Sequence, residues 1–175
     1  MNYKNKSIKN ILKIAEFTLE EIQTLPAKLK FKPKICEDGM EKLFVKGTFN
    51  SKRLLSNKPA ISLVINETNI PLKWIFYKNG ENPNDADLTN MFGIQSMVNG
   101  AMTNKNIAML NDFDASEFNV TISCDPDMFY VKFNDVWERS IPYNRTEQDI
   151  NAVEYVQFTG EYKIDWAGYG GEVSV

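Results

Sequence analysis

The chemistry open to this chain is set first by what it lacks. Its 175 residues include no histidine. That removes Ser-His-Asp and Cys-His nucleophile systems, the imidazole shuttle and any His-ligated zinc, iron or copper. Two cysteines, Cys36 and Cys124, are too few for a thiolate cage and too far apart for a CxxC redox motif. Carboxylates remain. A glycoside hydrolase needs two of them about 5–5.5 Å apart for retention or about 6.5–9.5 Å for inversion. Asp85-x-Asp87, Asp112-x-Asp114 and Asp125-x-Asp127 have a suitable step but sit in turn-rich sequence beside Pro or Asn, and Glu161 and Asp165 stand four apart. They read as solvated acids. None has the Asp-x-Asn-x-Asp-Gly order of a calcium loop, and Gly168-Tyr169-Gly170-Gly171 opens no helix to cradle a phosphate. The expectation is a non-enzyme with no catalytic residue, metal or cofactor.

What is left is binding chemistry. Lys73, Tyr77 and Tyr130 alternate out of phase with apolar neighbours on their strands. Aromatic rings stack on the apolar C–H faces of sugars, while amides and charged side chains take the hydroxyls. Trp74 and Trp166 fall in phase with the apolar positions and are expected in the core. A net charge of -3 and a pI near 5.1 argue against a nucleic-acid partner. No stretch approaches the ~20 apolar residues of a membrane span, and the start is too polar for a signal peptide. The expected setting is the cytoplasm with both thiols reduced, Cys124 buried and Cys36 in a polar loop. Sequons at Asn66, Asn119 and Asn144 then read as chance matches in an Asn-rich chain.

The elements that must position these residues follow from periodicity. Ile8, Ile11, Leu12, Ala15, Leu19 and Ile22 recur at helical spacing behind a candidate N-cap, Ser7, and Pro26 ends the run. Residues 1–24 therefore read as an N-terminal helical appendage. Beyond residue 25 the period is two. Leu43/Val45, Ile61/Leu63, Leu72/Trp74/Phe76, Ile94/Ser96/Val98, Phe118/Val120/Ile122/Cys124, Phe129/Val131/Phe133 and Tyr162/Ile164 mark successive strands. Asn79-Gly80, Asn99-Gly100, Asn134-Asp135 and Thr159-Gly160 punctuate them. Many short alternating strands mean an all-β sandwich or barrel over residues 25–175.

Several of these strands resemble those of galectins, the β-galactoside-binding lectins, in a divergent, nematode-like form. The similarity rests on Phe118-Asn-Val-Thr-Ile-Ser, the acidic turn and Phe129-Tyr-Val-Lys-Phe-Asn134, Ile141-Pro142, and Val153-Glu-Tyr-Val-Gln-Phe-Thr-Gly160. Leu43-Phe-Val-Lys-Gly47, Asn69-Ile-Pro-Leu72, Asn99-Gly100 and the terminal Trp166-Ala-Gly-Tyr-Gly-Gly171 extend it. The resemblance implies a jelly-roll sandwich of two antiparallel sheets with a sugar groove on the concave one. It also implies a strand reading His-x-Asn-x-Arg, then an Asn, a stacking Trp and a Glu. Here Lys73, Ile75 and Tyr77 stand for the first three, Gln95 for the Asn, Met102 for the Trp and Lys105-Asn106 for the Glu. The implied site is Lys73, Tyr77 and Gln95, an atypical or degenerate sugar face. Its partner would be a glycan or glycoprotein, with homodimerisation and non-classical secretion both open. The alternative is a sandwich that has lost sugar binding and serves protein–protein interaction. A carboxylate hydrolase on the same scaffold is the third reading.

Overall fold

Each apolar residue set two apart becomes the inward face of a strand. The computed structural model describes residues 11–16, 26–31, 42–49, 59–77, 91–109, 117–125, 127–135, 137–142, 148–160 and 162–173. Its strands are β1 (Ile11–Glu16), β2 (Ala27–Lys30), β3 (Lys42–Phe49), β4 (Ala60–Val64), β5 (Ile70–Tyr77) and β6 (Met91–Val98). They continue as β7 (Ala101–Met109), β8 (Glu117–Cys124), β9 (Met128–Phe133), β10 (Trp137–Pro142), β11 (Tyr155–Thr159) and β12 (Tyr162–Val173). The first sheet runs β1-β12-β3-β8-β9-β10 and the second β2-β11-β4-β5-β6-β7. All pairings are antiparallel. This is a jelly-roll β-sandwich.

The core lies between the sheets. Trp74, Phe118, Val120, Ile122, Phe129, Val131 and Phe133 are buried together, as their parity requires. An aromatic seam joins the layers: Phe49 of β3 stacks on Phe76 of β5 at 4.2 Å, and Trp74 of β5 meets Phe133 of β9 at 5.7 Å. Tyr162, buried on β12, crosses the gap to donate a 2.9 Å hydrogen bond to the Ala60 carbonyl of β4. Gly47 matters for a different reason. A Cβ there would run into the Lys163 carbonyl on one side and the Phe118 ring on the other, so β3 can lie between β8 and β12 only without a side chain at that position.

Three expectations need correction. The N-terminal helix is not formed where residues are described. Ile11–Glu16 is a strand, paired with β12 from Ile11↔Val173 to Glu16↔Gly168. The twelve-residue β12 offers a long edge, and its ladder outweighs a helical pattern that already left Ile14 and Phe17 off its face; the rest of the expected helix lies outside the described residues. Trp166 is not core. The register shifts between Ile164 and Trp166, which leaves Trp166 half-buried, 6.3 Å from Phe44, and gives the inward positions to Ala167 and Tyr169. Cys124 is buried as expected, but it is disulfide-bonded, not reduced. Bonding depends on which sulfur the fold brings alongside, which composition does not show. Cys36, the only other cysteine of the chain, lies outside the described residues.

Two stability experiments follow from the packing. Gly47→Ala should lower the urea midpoint by an amount worth about 1–3 kcal/mol, the usual cost of overpacking; an unchanged midpoint would mean the strands can spread there. Burial raises the Tyr162 hydroxyl well above the usual phenol range. The protonated phenol therefore contributes fully below the unfolded value of about 10, and that contribution is lost as pH climbs from there through the folded value. Tyr162→Phe should lose about 1 kcal/mol at neutral pH and flatten the alkaline limb of the stability profile. Parallel alkaline limbs in the two proteins would contradict this.

Candidate functional site

The outer face of the second sheet is not uniformly open. On β4 the outward residues Ala60, Ser62 and Val64 are as buried as the inward Ile61 and Leu63, with Ser62 only 2% exposed. Ile75, the next outward residue of β5 toward Tyr77, is 7% exposed and pairs with Gly93. The half-buried and exposed outward side chains on this part of the sheet belong to the start of β5 and to the ends of β6 and β7 that meet at the Asn99-Gly100 turn.

Two bulges shape that region. On β5, Lys73 pairs with Gln95 and Ile70 with Met97, so Pro71 and Leu72 together face Ser96. On β7, Asn104 pairs with Ser96 and Met102 with Met97, so Thr103 is an extra residue. A bulge adds one residue and reverses the parity beyond it. Both fall at the level of Ser96, one on each flank, and the result is a cross-strand row Ile70–Met97–Met102 on the outer face. It lies directly beside the row Lys73–Gln95–Lys105. Ile70 and Met97 are half-buried, whereas Met102 is 59% exposed. An apolar row thus borders a polar one.

The turns around the rows are tied down. Asn99 and Gly100 have positive φ of 50° and 82°, the geometry of a two-residue hairpin turn. The Gly100 amide donates to the Thr68 carbonyl at 2.9 Å and the Asn99 amide to Asn69 Oδ1 at 3.0 Å, so the β6–β7 and β4–β5 tips are joined. Asn66 closes the second tip, its Oδ1 accepting from the Thr68 amide and hydroxyl. Gln148, buried ahead of the short 3-10 turn Ile150–Ala152, donates Nε2 to the Met97 carbonyl at 2.7 Å. That bond holds the backbone where the register changes.

Of the residues singled out in the sequence, Lys73 and Gln95 are brought together as direct register partners, both half-buried. Tyr77 lies on the same strand face but four residues away, about 14 Å at strand rise, and pairs with Met91; its side chain is outside the described ones. Tyr130 is separated from all three. It belongs to the first sheet, and its hydroxyl donates to Asp125 Oδ2 at 2.6 Å, a bond that raises its pKa. Asp125 also accepts from the Asp127 and Met128 amides, so that acid builds a turn. Ile70 and Met97 were missed because the simple alternation places Ile70 inward; a proline one residue into β5 was the available signal of a bulge.

The first sheet carries a shallow depression of about 590 Å³, lined by Lys46, Glu117, Asn119, Asn134, Asp135 and Asp165 among others. Several of its polar groups are already committed. Asp165 accepts from Lys163 at 2.6 Å and Thr48 at 2.7 Å, which hold its carboxyl below the usual range. Asn134 Oδ1 takes the Asn119 amide at 2.6 Å, and Asp135 pairs with Lys132 at 2.9 Å. No group of three or more metal-ligating side chains occurs among the described residues.

No protein-family model matches the chain, and no curated protein matches it by sequence. Solved structures do. Sheep galectin-11, in a complex with glycerol, superposes with a TM-score of 0.64 at 8% identity, covering 82% of this chain and 96% of that one. Galectin-Ib of Xenopus laevis gives 0.64 at 14% identity, with 82% and 98% covered. The ancestral congerin Con-anc gives 0.63 at 21% identity and the same coverage.

The pinned bulge is testable. Gln148→Met removes the 2.7 Å bond with little change in volume, and should cost about 1–3 kcal/mol through the orphaned Met97 carbonyl. Amide exchange should accelerate between Met97 and Met102; unchanged exchange there would show that the register shift needs no pin. The chain therefore has a galectin-like fold, with an accessible outer face assembled from the bulged ends of three neighbouring strands.

Proposed function

We propose that the chain is a non-enzymatic, galectin-type carbohydrate-binding domain with an atypical sugar face. Lys73 and Gln95 supply the polar contacts, and Tyr77 extends the same strand face. The observation that carries the reading is the bulge-made row Ile70–Met97–Met102 beside Lys73–Gln95. A sugar ring has one apolar face and a rim of hydroxyls. It can lay the face over methionine and isoleucine methyls while an ammonium and an amide take the rim. Methionine is suited to this, being polarisable and able to conform to the ring.

The face differs from a β-galactoside site in what it cannot do. The described strands of this sheet carry no arginine to grip two hydroxyls, and Met102 stands where the resemblance places a stacking indole. Each loss is worth on the order of 1–3 kcal/mol. The exposure of Met102 also favours the second reading, a protein-interaction module, and one experiment separates the two. The full chain is applied to a glycan array, and the hits are re-measured by calorimetry with Met102→Glu. We expect glycan hits that Met102→Glu weakens at least tenfold without changing the unfolding midpoint. Lactose should bind no tighter than about millimolar, roughly -4 kcal/mol. An empty array would reject the lectin reading in favour of the interaction module, and micromolar lactose binding would overturn the account of this face.

A further inference from the structure

The second sheet has a charge pattern that the chain as a whole does not. The protein is net negative, with 23 Asp+Glu against 20 Lys+Arg. Yet the six strands of this sheet contain Lys28, Lys30, Lys73 and Lys105 and not a single Asp or Glu. The first sheet is mixed, with Glu16, Glu117, Glu138, Asp165 and Glu172 among its strands. The registers line up one outer-face row across all six strands of the second sheet: Lys28, Gln157, Ser62, Lys73, Gln95 and Lys105. The lysines in it are not equivalent. Lys28 sits 5.4 Å over the Tyr155 ring. Lys73 is half-buried between Ser62 and Gln95 and has no hydrogen bond or ion pair among the described residues. Next to it, the buried Gln95 Oε1 has no hydrogen-bond partner.

Resting on the carbohydrate-binding reading, we propose that the ligand of this face is an anionic saccharide, one bearing a sulfate or a carboxylate. An ammonium can only donate, and a half-buried one without a counter-charge among the described residues favours an anion over a neutral hydroxyl. Gln95 Oε1 is buried without a partner and can only accept, so a ligand that shifts this amide to reach it satisfies it only by presenting a donor as well. A free sulfate ion at neutral pH offers acceptors alone. An anionic sugar offers both, its charged group to Lys73 and a hydroxyl to Gln95, with its ring over Met97 and Met102. No carboxylate stands on these strands to repel it.

The test compares lactose, sulfated lactose, sialyllactose and inorganic sulfate by calorimetry on the full chain. The sulfated or the sialylated sugar should bind at least tenfold tighter than lactose, and which of them does so identifies the anionic group. That preference should shrink as salt is raised. Lys73→Gln should abolish the preference, bringing the charged sugars down to the affinity of lactose for the same variant, and Lys73→Arg should retain it. Lactose binding as tightly as its charged forms would overturn this proposal and leave the lectin reading standing. Inorganic sulfate binding as tightly as the sulfated sugar would overturn the saccharide part. Binding of none of the sugars, here and on the array, would reject both readings.

Discussion

Everything in this molecule depends on the inward aromatic seam between two sheets. Phe49 and Phe76 stack across the gap, Trp74 meets Phe133, and Phe118 packs against both Phe49 and Tyr162. These rings belong to β3, β5, β8, β9 and β12, so a slip of one residue in any of those strands would turn its aromatics to solvent. The register is therefore held by burial of large apolar surface, and the outer faces are left free to vary. That division explains how a galectin-like fold leaves the residues on its outer faces free to differ in type.

Variation on that face is organised by the bulges. Strict alternation along β5, β6 and β7 would leave a pattern tied to the core's own periodicity. Extra residues on either side of Ser96 break the coupling, so Ile70 and Met102 join Met97 on the outer face. The backbone pays little disruption because the neighbouring tips are cross-tied through Asn69, Asn99 and Gly100, and Gln148 takes the Met97 carbonyl. The outer-face row Ile70–Met97–Met102 thus arises from local register.

Much of the fold was legible in the sequence, because period-two burial leaves a plain trace. Phe129, Val131 and Phe133 could face only one way, and Asn99-Gly100 could hardly be anything but a tight turn. What alternation cannot register is a shift within a strand. Trp166 was misplaced for that reason, and Ile70 was overlooked for the same one. The strand β1 was hidden by a different cause: six residues with ambiguous periodicity take the structure of their partner, and β12 lies some 150 residues away in sequence. Tertiary pairing overrides weak local preference at such edges. Lys73 and Gln95 were legible as a pair only through the family resemblance, since nothing local to either strand says they are neighbours. The disulfide at Cys124 was not legible at all, since pairing is a matter of distance in space.

The central claim is that ligand sits on the outer face at the start of β5 and the neighbouring ends of β6 and β7. Amide chemical-shift mapping of the full chain during titration with a glycan retained on the array tests it most directly. The account predicts that the largest perturbations fall on Ile70, Lys73, Gln95, Met97 and Met102, with the first sheet unmoved. Perturbations gathered instead around Lys46, Asn119 and Asn134, in the depression on the opposite face, would contradict it.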